Sequence, residues 1–275
     1  MSGPDAAALE AASRARVTVV IGAGDTGKTS LVAGLAGALA ARGAPVAVVD
    51  ADVGQSEIGP PTTIGLGRVT GPIARLRDAE LIALEFVGDT SPVRAIALTA
   101  DGTGRLVRRA LAEGFGHVLV DTGGLVSGGL GLALKRAKVR AIDPDLVLVV
   151  QQRDESEPLA RALATGARPA VVRVAASPAV RRRTQTERRQ HRDRALLAYF
   201  EAAAVVEVPV ERVDARRPVP LGEGLLVGVY GDDGSVLGIG RVRAVDPDRL
   251  VVETPVPAAR VARIMPGRAV WPSAK

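Results

Sequence analysis

Cysteine is absent from this 275-residue chain. No disulfide, cysteine nucleophile or thiolate-held zinc site can be built, and the lack fits a cytoplasmic setting. Histidine is nearly as scarce. Only His117 and His191 occur, which argues against a histidine-built metal centre. Aromatic residues make up 2% of the chain, with Phe86, Phe115, Tyr199, Phe200, Tyr230 and Trp271 as the whole supply. Any binding of single-stranded nucleic acid would have to rest on arginine and apolar contacts rather than on a platform of stacked rings. No apolar run approaches the ~20 residues of a membrane-spanning helix, and residues 1–16 lack the apolar centre of a signal peptide.

Apolar residues reach 47%, drawn from Ala, Val and Leu, enough for a full core in one or two domains. Lys and Arg total 36 against 30 Asp and Glu, for a net charge of +6, and arginine far outnumbers lysine. A positive balance favours an anionic partner, nucleotide or nucleic acid. A chain-wide bias towards Arg and Ala has the same effect on the balance with no such partner.

The organising stretch is Val17-Thr18-Val19-Val20-Ile21-Gly22-Ala23-Gly24-Asp25-Thr26-Gly27-Lys28-Thr29-Ser30. A β-branched run reads as a buried parallel strand. It breaks at Gly22, and a helical pattern begins near Lys28. Gly22, Gly27, Lys28 and Thr29 satisfy G-x-x-x-x-G-K-[ST] in the strand–loop–helix setting that a P-loop requires. Backbone N–H groups from Gly24 through Asp25, Thr26 and Gly27 to Thr29 can form a nest for phosphate oxygens, and the helix beginning there adds the positive end of its dipole. Lys28 reaches the β- and γ-phosphates, and the Thr29 hydroxyl is placed to ligate Mg²⁺. The expected ligand is a nucleoside triphosphate.

Around this motif the pattern alternates strands and helices. Residues 1–16 read as a frayed, Ala-rich lead-in with a short helix. Helices are expected over 30–42, 94–113 (interrupted at Asp101-Gly102-Thr103-Gly104), 130–138 and 155–165. Strands are expected over 45–49, 81–87, 117–121, 146–151 and 170–174, whereas residues 53–72, rich in Gly, Pro and Thr, read as a functional loop. From about Val206 short strands separated by Gly-Asp-Asp-Gly and Asp-Pro-Asp turns suggest a small β module. The fold class is α/β: a P-loop NTPase with a mostly parallel sheet flanked by helices, plus that module. The expected segments are 1–16, 17–205 and 206–275.

Asp50, Asp52 and Asp121 each stand at the carboxyl end of an expected strand, on the same crevice as the P-loop. Asp121, ending a hydrophobic strand, suits a metal ligand, and Asp52 lies where it reaches a substrate hydroxyl. Acids at such positions also cap turns and helices. Val180–Arg194 is dense in arginine. Such a run is commonly a solvated helix face, but beside a P-loop it also suits a mobile lid that excludes water.

Taken together, Gly22–Ser30, Asp52-Val53-Gly54-Gln55 with Pro60-Pro61, Gly88-Asp89-Thr90-Ser91-Pro92, Thr122-Gly123-Gly124 and Arg183-Thr184-Gln185-Thr186-Glu187-Arg188 carry a resemblance. The chain resembles the polynucleotide 5′-hydroxyl kinases, which include the pre-mRNA cleavage-complex kinase, ribosomal-RNA-processing kinases and prokaryotic relatives. The resemblance spans Val17 to Phe200 and implies a short prokaryotic form. It implies ATP as donor, Mg²⁺, and a nucleic acid with a 5′-hydroxyl end as acceptor, RNA favoured over DNA. It also implies that Asp52 acts on that hydroxyl, with Gln55 beside the metal and γ-phosphate. Thr122, Gly123 and Gly124 would clasp the substrate-end phosphate, and Arg183 and Arg188 would close as the lid. Thr29, Asp52 and Asp121 are the candidate metal ligands. Leu125 stands where the family clasp usually carries Trp. A second reading stays open, because Asp121-Thr122-Gly123-Gly124 also fits the D-x-x-G of a regulatory switch NTPase. Gln151-Gln152-Arg153-Asp154, at the place of a guanine-reading N-K-x-D, keeps only its Asp. A catalytically weak, ATP-bound scaffold in RNA processing is the third.

Overall fold

Strand β1 (Val17–Gly22) buries every residue and so needs cover on both faces. A computed structural model, which describes residues 5–177, 181–214 and 219–271, shows where the cover comes from. Val17, Val19 and Ile21 point into one apolar cluster and Val20 into a second. β1 lies between β5 (His117–Thr122) and β6 (Leu146–Gln151), parallel to both. β2 (Val46–Ala51) pairs with β5, and β7 (Ala170–Ala175) with β6, completing five parallel strands in the order β2-β5-β1-β6-β7.

Helices α1 (Ala6–Arg14) and α2 (Lys28–Ala40) cover one face; α3 (Ile96–Ala112), α4 (Gly128–Ile142) and α5 (Glu157–Leu163) cover the other. From Asp5 onward the lead-in is docked rather than frayed, residues 1–4 lying outside the described residues. Asp5 caps α1 by accepting the N–H groups of Ala7 and Ala8, and Ala8 and Ala12 are buried. β1 continues into α2 on one face, while its neighbour β5 continues into α4 on the other. Adjacent strands that send their connections apart leave a crevice at their carboxyl ends, the usual ligand position in such sheets.

Two local expectations are corrected. Residues 63–69, read as loop, form strand β3 (Thr63–Val69), which pairs antiparallel with β2 and with β4 (Glu80–Phe86). Its alternation is masked by Gly65 and Gly67. A Cβ at Gly65 would lie 2.0 Å from the Ile58 carbonyl oxygen, so the close pass of the preceding loop excludes a side chain. Helix α3 is not interrupted at residues 101–104. Gly102, Thr103 and Gly104 are buried there, and a Cβ at Gly104 would lie 2.6 Å from the Ala141 carbonyl oxygen. Packing of α3 against α4 overrides the low helix propensity of the two glycines.

The C-terminal strands β8 (Ala204–Pro209), β9 (Leu225–Tyr230), β10 (Val236–Val245), β11 (Arg249–Thr254) and β12 (Arg263–Val270) are antiparallel to one another. They join the main sheet where Val236 of β10 pairs with Leu84 of β4. The N–H groups of Arg268 and Ala269 also donate to the Gly88 carbonyl, at 2.6 and 3.0 Å. Helix α6 (Gln185–Phe200) rests on this unit. Phe200 stacks on Trp271 at 5.6 Å between ring centroids, and the Ile239 N–H donates to the Tyr199 hydroxyl at 2.9 Å. The arginine-rich start of α6 is thus carried by a helix anchored at its far end. Val180 of the expected lid lies outside the described residues. Among the described residues no helix is long and apolar enough to cross a membrane.

Candidate active site

The loop after β1 turns through two left-handed residues, Asp25 (φ 56°) and Gly27 (φ 85°), before α2 begins at Lys28. Gly22 ends the strand so close to β6 that a Cβ would lie 2.3 Å from the Val150 carbonyl oxygen. Thr26 is buried, its hydroxyl donating to the Ala23 carbonyl at 3.0 Å. The Lys28 ammonium donates to the same carbonyl at 2.6 Å, and burial lowers its pKa from the ordinary lysine value. Ser30 is exposed on the first turn of α2.

Asp121 ends β5 beside this loop. Its Oδ2 accepts the Thr29 hydroxyl at 2.6 Å and its Oδ1 accepts the Thr122 N–H at 2.9 Å. Burial pushes the Asp121 carboxyl up, opposed by the charge of Lys28 and the Thr29 hydrogen bond. Two oxygen donors, one hydroxyl and one carboxylate, are thereby held together at the start of α2. That donor set suits a hard divalent cation completed by phosphate and water oxygens. The described residues contain no group of three or more His, Cys, Asp or Glu able to hold a metal by themselves.

Asp52 follows β2 and makes a tight turn, its Oδ1 accepting the N–H groups of Gly54 and Gln55, both at 3.1 Å. Its Oδ2 has no hydrogen-bond partner among the described residues, and the side chain is half-buried. Asp50, two residues earlier, is differently employed. Its Oδ2 accepts the N–H groups of Glu57 and Ile58, at 2.6 and 3.0 Å, and the Ser56 hydroxyl. Burial, followed by repulsion from Asp121, pushes the Asp50 carboxyl up to about 7. Asp50 hooks the loop that Asp52 opens, a scaffold part rather than a reacting one.

The Thr122-Gly123-Gly124 loop touches both neighbours. A Cβ on Gly123 would meet the Asp52 carboxylate at 3.3 Å, and one on Gly124 would meet the Gly24 backbone at 2.5 Å. At Gly124 only glycine permits that approach, and at Gly123 a side chain would press on the carboxylate. The Thr122 side chain turns away, buried, with its hydroxyl donating to the Val20 carbonyl at 2.8 Å. The clasp stretch therefore brings Gly123 and Gly124 to the crevice and uses Thr122 as an anchor beneath it.

The start of α6 closes the site. Thr184 and Glu187 form a capping box there. The Arg188 guanidinium pairs with Asp25 at 2.6 Å and stands 2.9 Å from where a Gly24 Cβ would be, directly over the P-loop. Gln55 donates from Nε2 to the Arg188 carbonyl at 3.1 Å, while its buried Oε1 has no partner among the described residues. Arg183 enters by its backbone N–H, which donates to Asp25 at 2.8 Å; its side chain is exposed. Of the two expected lid arginines, one reaches the loop with its fork and the other with its main chain.

Two participants are invisible in the motifs. Lys135 and Lys138 of α4 are fully buried beneath the crevice. Lys135 donates to the Thr122 hydroxyl at 2.8 Å and the Gly123 carbonyl at 2.5 Å; Lys138 donates to the Ala51 carbonyl at 2.7 Å. Burial lowers the pKa of both, that of Lys138 to about 8. The signal in the sequence is periodic: Gly131, Leu134, Lys135, Lys138, Val139 and Ile142 share the buried stripe of α4, so both lysines fall on its apolar face.

Comparison with known proteins places this arrangement. Residues 22–202 match the family described as mRNA cleavage and polyadenylation factor CLP1 P-loop. The polyribonucleotide 5′-hydroxyl-kinase of Pyrococcus furiosus is 36% identical over 197 residues, 71% of this chain and 53% of that protein. The enzyme of the same description from Pyrococcus horikoshii is 35% identical over 196 residues, 71% and 52% of the two chains. This chain thus spans about half the length of the curated relatives it matches. Among solved structures, the wild-type Clp1p–Pcf11p complex contains a chain that superposes with a TM-score of 0.74 at 14% identity, covering 94% of this chain and 75% of that one. At that identity the likeness is one of fold.

Proposed function

Because this chain belongs to the family described as mRNA cleavage and polyadenylation factor CLP1 P-loop, we propose that it transfers the γ-phosphoryl group of ATP to the 5′-hydroxyl end of a polyribonucleotide. One observation carries this reading. Asp52, the Thr29–Asp121 pair, Gly123–Gly124 and Arg188 come from separate segments and meet over a single P-loop. An NTP-hydrolysing switch needs a water held in line with the γ-phosphorus. The unpartnered Asp52 oxygen can receive the proton of water or of an alcohol, and the relatives described as polyribonucleotide 5′-hydroxyl-kinases favour the alcohol.

In this reading the P-loop amides and Lys28 hold the β- and γ-phosphates. Asp52 Oδ2 accepts the proton of the 5′-hydroxyl as its oxygen bonds to the γ-phosphorus, and the bond to the β–γ bridging oxygen breaks to release ADP. Thr29 and Asp121 are the oxygen donors that would hold Mg²⁺, which when bound would neutralise charge on the phosphates. Asp52, with Oδ1 in its own turn and Oδ2 given to the hydroxyl, is left to the acceptor. Arg188 would leave Asp25 for the transferring group, where its planar fork matches the equatorial oxygens. Gln55 ties the Asp52 turn to the lid backbone, so closure of α6 and placement of the acceptor are mechanically joined.

Incubation with γ-labelled ATP and a 5′-hydroxyl RNA oligonucleotide tests the proposal. Label should appear on the oligonucleotide, and an oligonucleotide already phosphorylated at its 5′ end should accept none. Release of free phosphate at a rate insensitive to oligonucleotide would instead establish a switch NTPase.

The ion pair between Asp25 and Arg188 leads to a second expectation. Asp25→Asn keeps a residue that tolerates the left-handed backbone but removes the charge holding Arg188. Without nucleotide, trypsin should then cut the lid about fivefold faster, the factor given by about 1 kcal/mol for a partly exposed ion pair. An unchanged digestion rate would show that Asp25 does not hold the lid.

A further inference from the structure

We propose that Lys135 and Lys138 are positioning residues for phosphoryl transfer, a two-pronged brace by which α4 holds the strand ends that carry Asp52 and the glycine clasp. The proposal rests on the kinase reading of Asp52 given above. Its grounds are the placement of the two lysines and the composition of the chain.

Lysine is rare here. The chain has four, Lys28, Lys135, Lys138 and Lys275, against 32 arginines. Wherever this protein needs a cation on its described surface it uses arginine. The three lysines among the described residues are all buried at one crevice, one in the P-loop and two beneath it. An ammonium group fits where a planar guanidinium does not, because its three donors radiate from a single small atom.

The contacts of that atom are with the parts that must not move. Lys135 grips Gly123 by its carbonyl and Thr122 by its hydroxyl, and Thr122 in turn grips Val20 of β1. Lys138, one helical turn further along α4, grips the carbonyl of Ala51, the residue immediately before Asp52. Between the two gripped strand ends, Gly123 faces the Asp52 carboxylate, which lies 3.3 Å from where a Gly123 Cβ would be. The acceptor-side carboxylate thus has its position set from both neighbours: through Ala51 along its own strand and through Gly123 across the crevice. Neither lysine hydrogen-bonds the P-loop, whose own lysine is turned onto Ala23. The brace therefore acts directly on the hydroxyl side of the reaction and reaches the P-loop only through the Gly124–Gly24 approach and the Thr122–Val20 bond.

Lys135→Met and Lys138→Met remove the donors while keeping an unbranched side chain of similar length, and Met is accommodated in an apolar helix stripe. In the full chain with saturating ATP and 5′-hydroxyl RNA, each should lower kcat by about tenfold to a hundredfold, the usual consequence of a reacting group displaced by an ångström. The KM for ATP should stay within about twofold of the parent value. Lys135→Arg should fail equally, since charge without fit does not restore the brace. Amide hydrogen exchange supplies a readout independent of activity. Residues 51–55 and 122–126 should exchange faster in the methionine variants, with residues 22–30 unchanged. Parent-level kcat in both methionine variants, or exchange unaltered at 51–55 and 122–126, overturns the brace. Simultaneous loss of kcat, ATP affinity and the cooperative thermal transition also overturns it, by showing that the lysines serve the fold as a whole. If the parent chain itself transfers no phosphate, the kinase reading falls on that result, and hydrogen exchange still decides the brace.

Discussion

Asp52→Asn should reduce phosphoryl transfer by about 10²–10⁴-fold, the range expected when a positioned general base is removed, and leave ATP binding nearly untouched. The geometry makes this substitution unusually clean. Oδ1 of Asp52 only accepts, taking the N–H groups of Gly54 and Gln55, and an asparagine carbonyl accepts the same two bonds. The turn therefore survives. What disappears is the second carboxylate oxygen, which has no described hydrogen-bond partner and is replaced by an amide that donates where the hydroxyl proton has to be received. Rapid-quench measurement of a single turnover, paired with calorimetric titration of a non-hydrolysable ATP analogue, reads the two quantities separately. Transfer within threefold of the parent would remove Asp52 from the chemistry.

The second large effect belongs to the lid. Arg188→Ala should slow transfer by about 10³-fold or more, the range over which arginines acting on a transferring phosphoryl group contribute. Arg188→Lys should recover little of it, because a point charge does not reproduce the fork. Arg183→Ala should cost much less. Its guanidinium is exposed and its hold on Asp25 is made by the backbone N–H, which any residue retains. The structure thus ranks two arginines that motif matching treats alike. ADP affinity should change little in either variant, since ADP lacks the transferring group. Comparable losses at Arg183 and Arg188 would mean that α6 shifts far enough on closing to bring both forks to the triphosphate.

Much of the frame was readable from residue order. The β-branched run before Gly22 and the helical pattern after Lys28 imply a strand–loop–helix unit by local propensity. The hydrophobic strand ending at Asp121 likewise announces its own carboxyl end. Elements failed to show where a contact from outside the element chose the residue. Gly65 and Gly104 look like breakers, yet one lies inside β3 and the other inside α3, each required by a carbonyl oxygen packed too close for a Cβ. The strands of the C-terminal unit are visible through the turns at 231–234 and 246–248 that separate them. The unit's attachment is not, because the pairing of Val236 with Leu84 joins residues that no local pattern connects.

The candidate site divides the same way. Backbone amides turned by glycines, a lysine and a hydroxyl at fixed spacing form a phosphate cradle within one short segment, so sequence alone determined the P-loop and the chemistry it offers. Tertiary structure alone decided which acid is free and which is spent. Asp50 and Asp52 are two residues apart and identical in type, but folding of the 53–62 loop surrounds one carboxylate with donors and leaves an oxygen of the other open. It also decided that Arg188 lies over the P-loop and that Lys135 and Lys138 lie beneath the crevice. The Asp50 donors come from the adjoining loop, whereas the Lys138 and Arg188 partners lie 87 and 163 residues away. In both cases the contacts join different elements, and the spacing of residue types along one strand or helix carries no record of them.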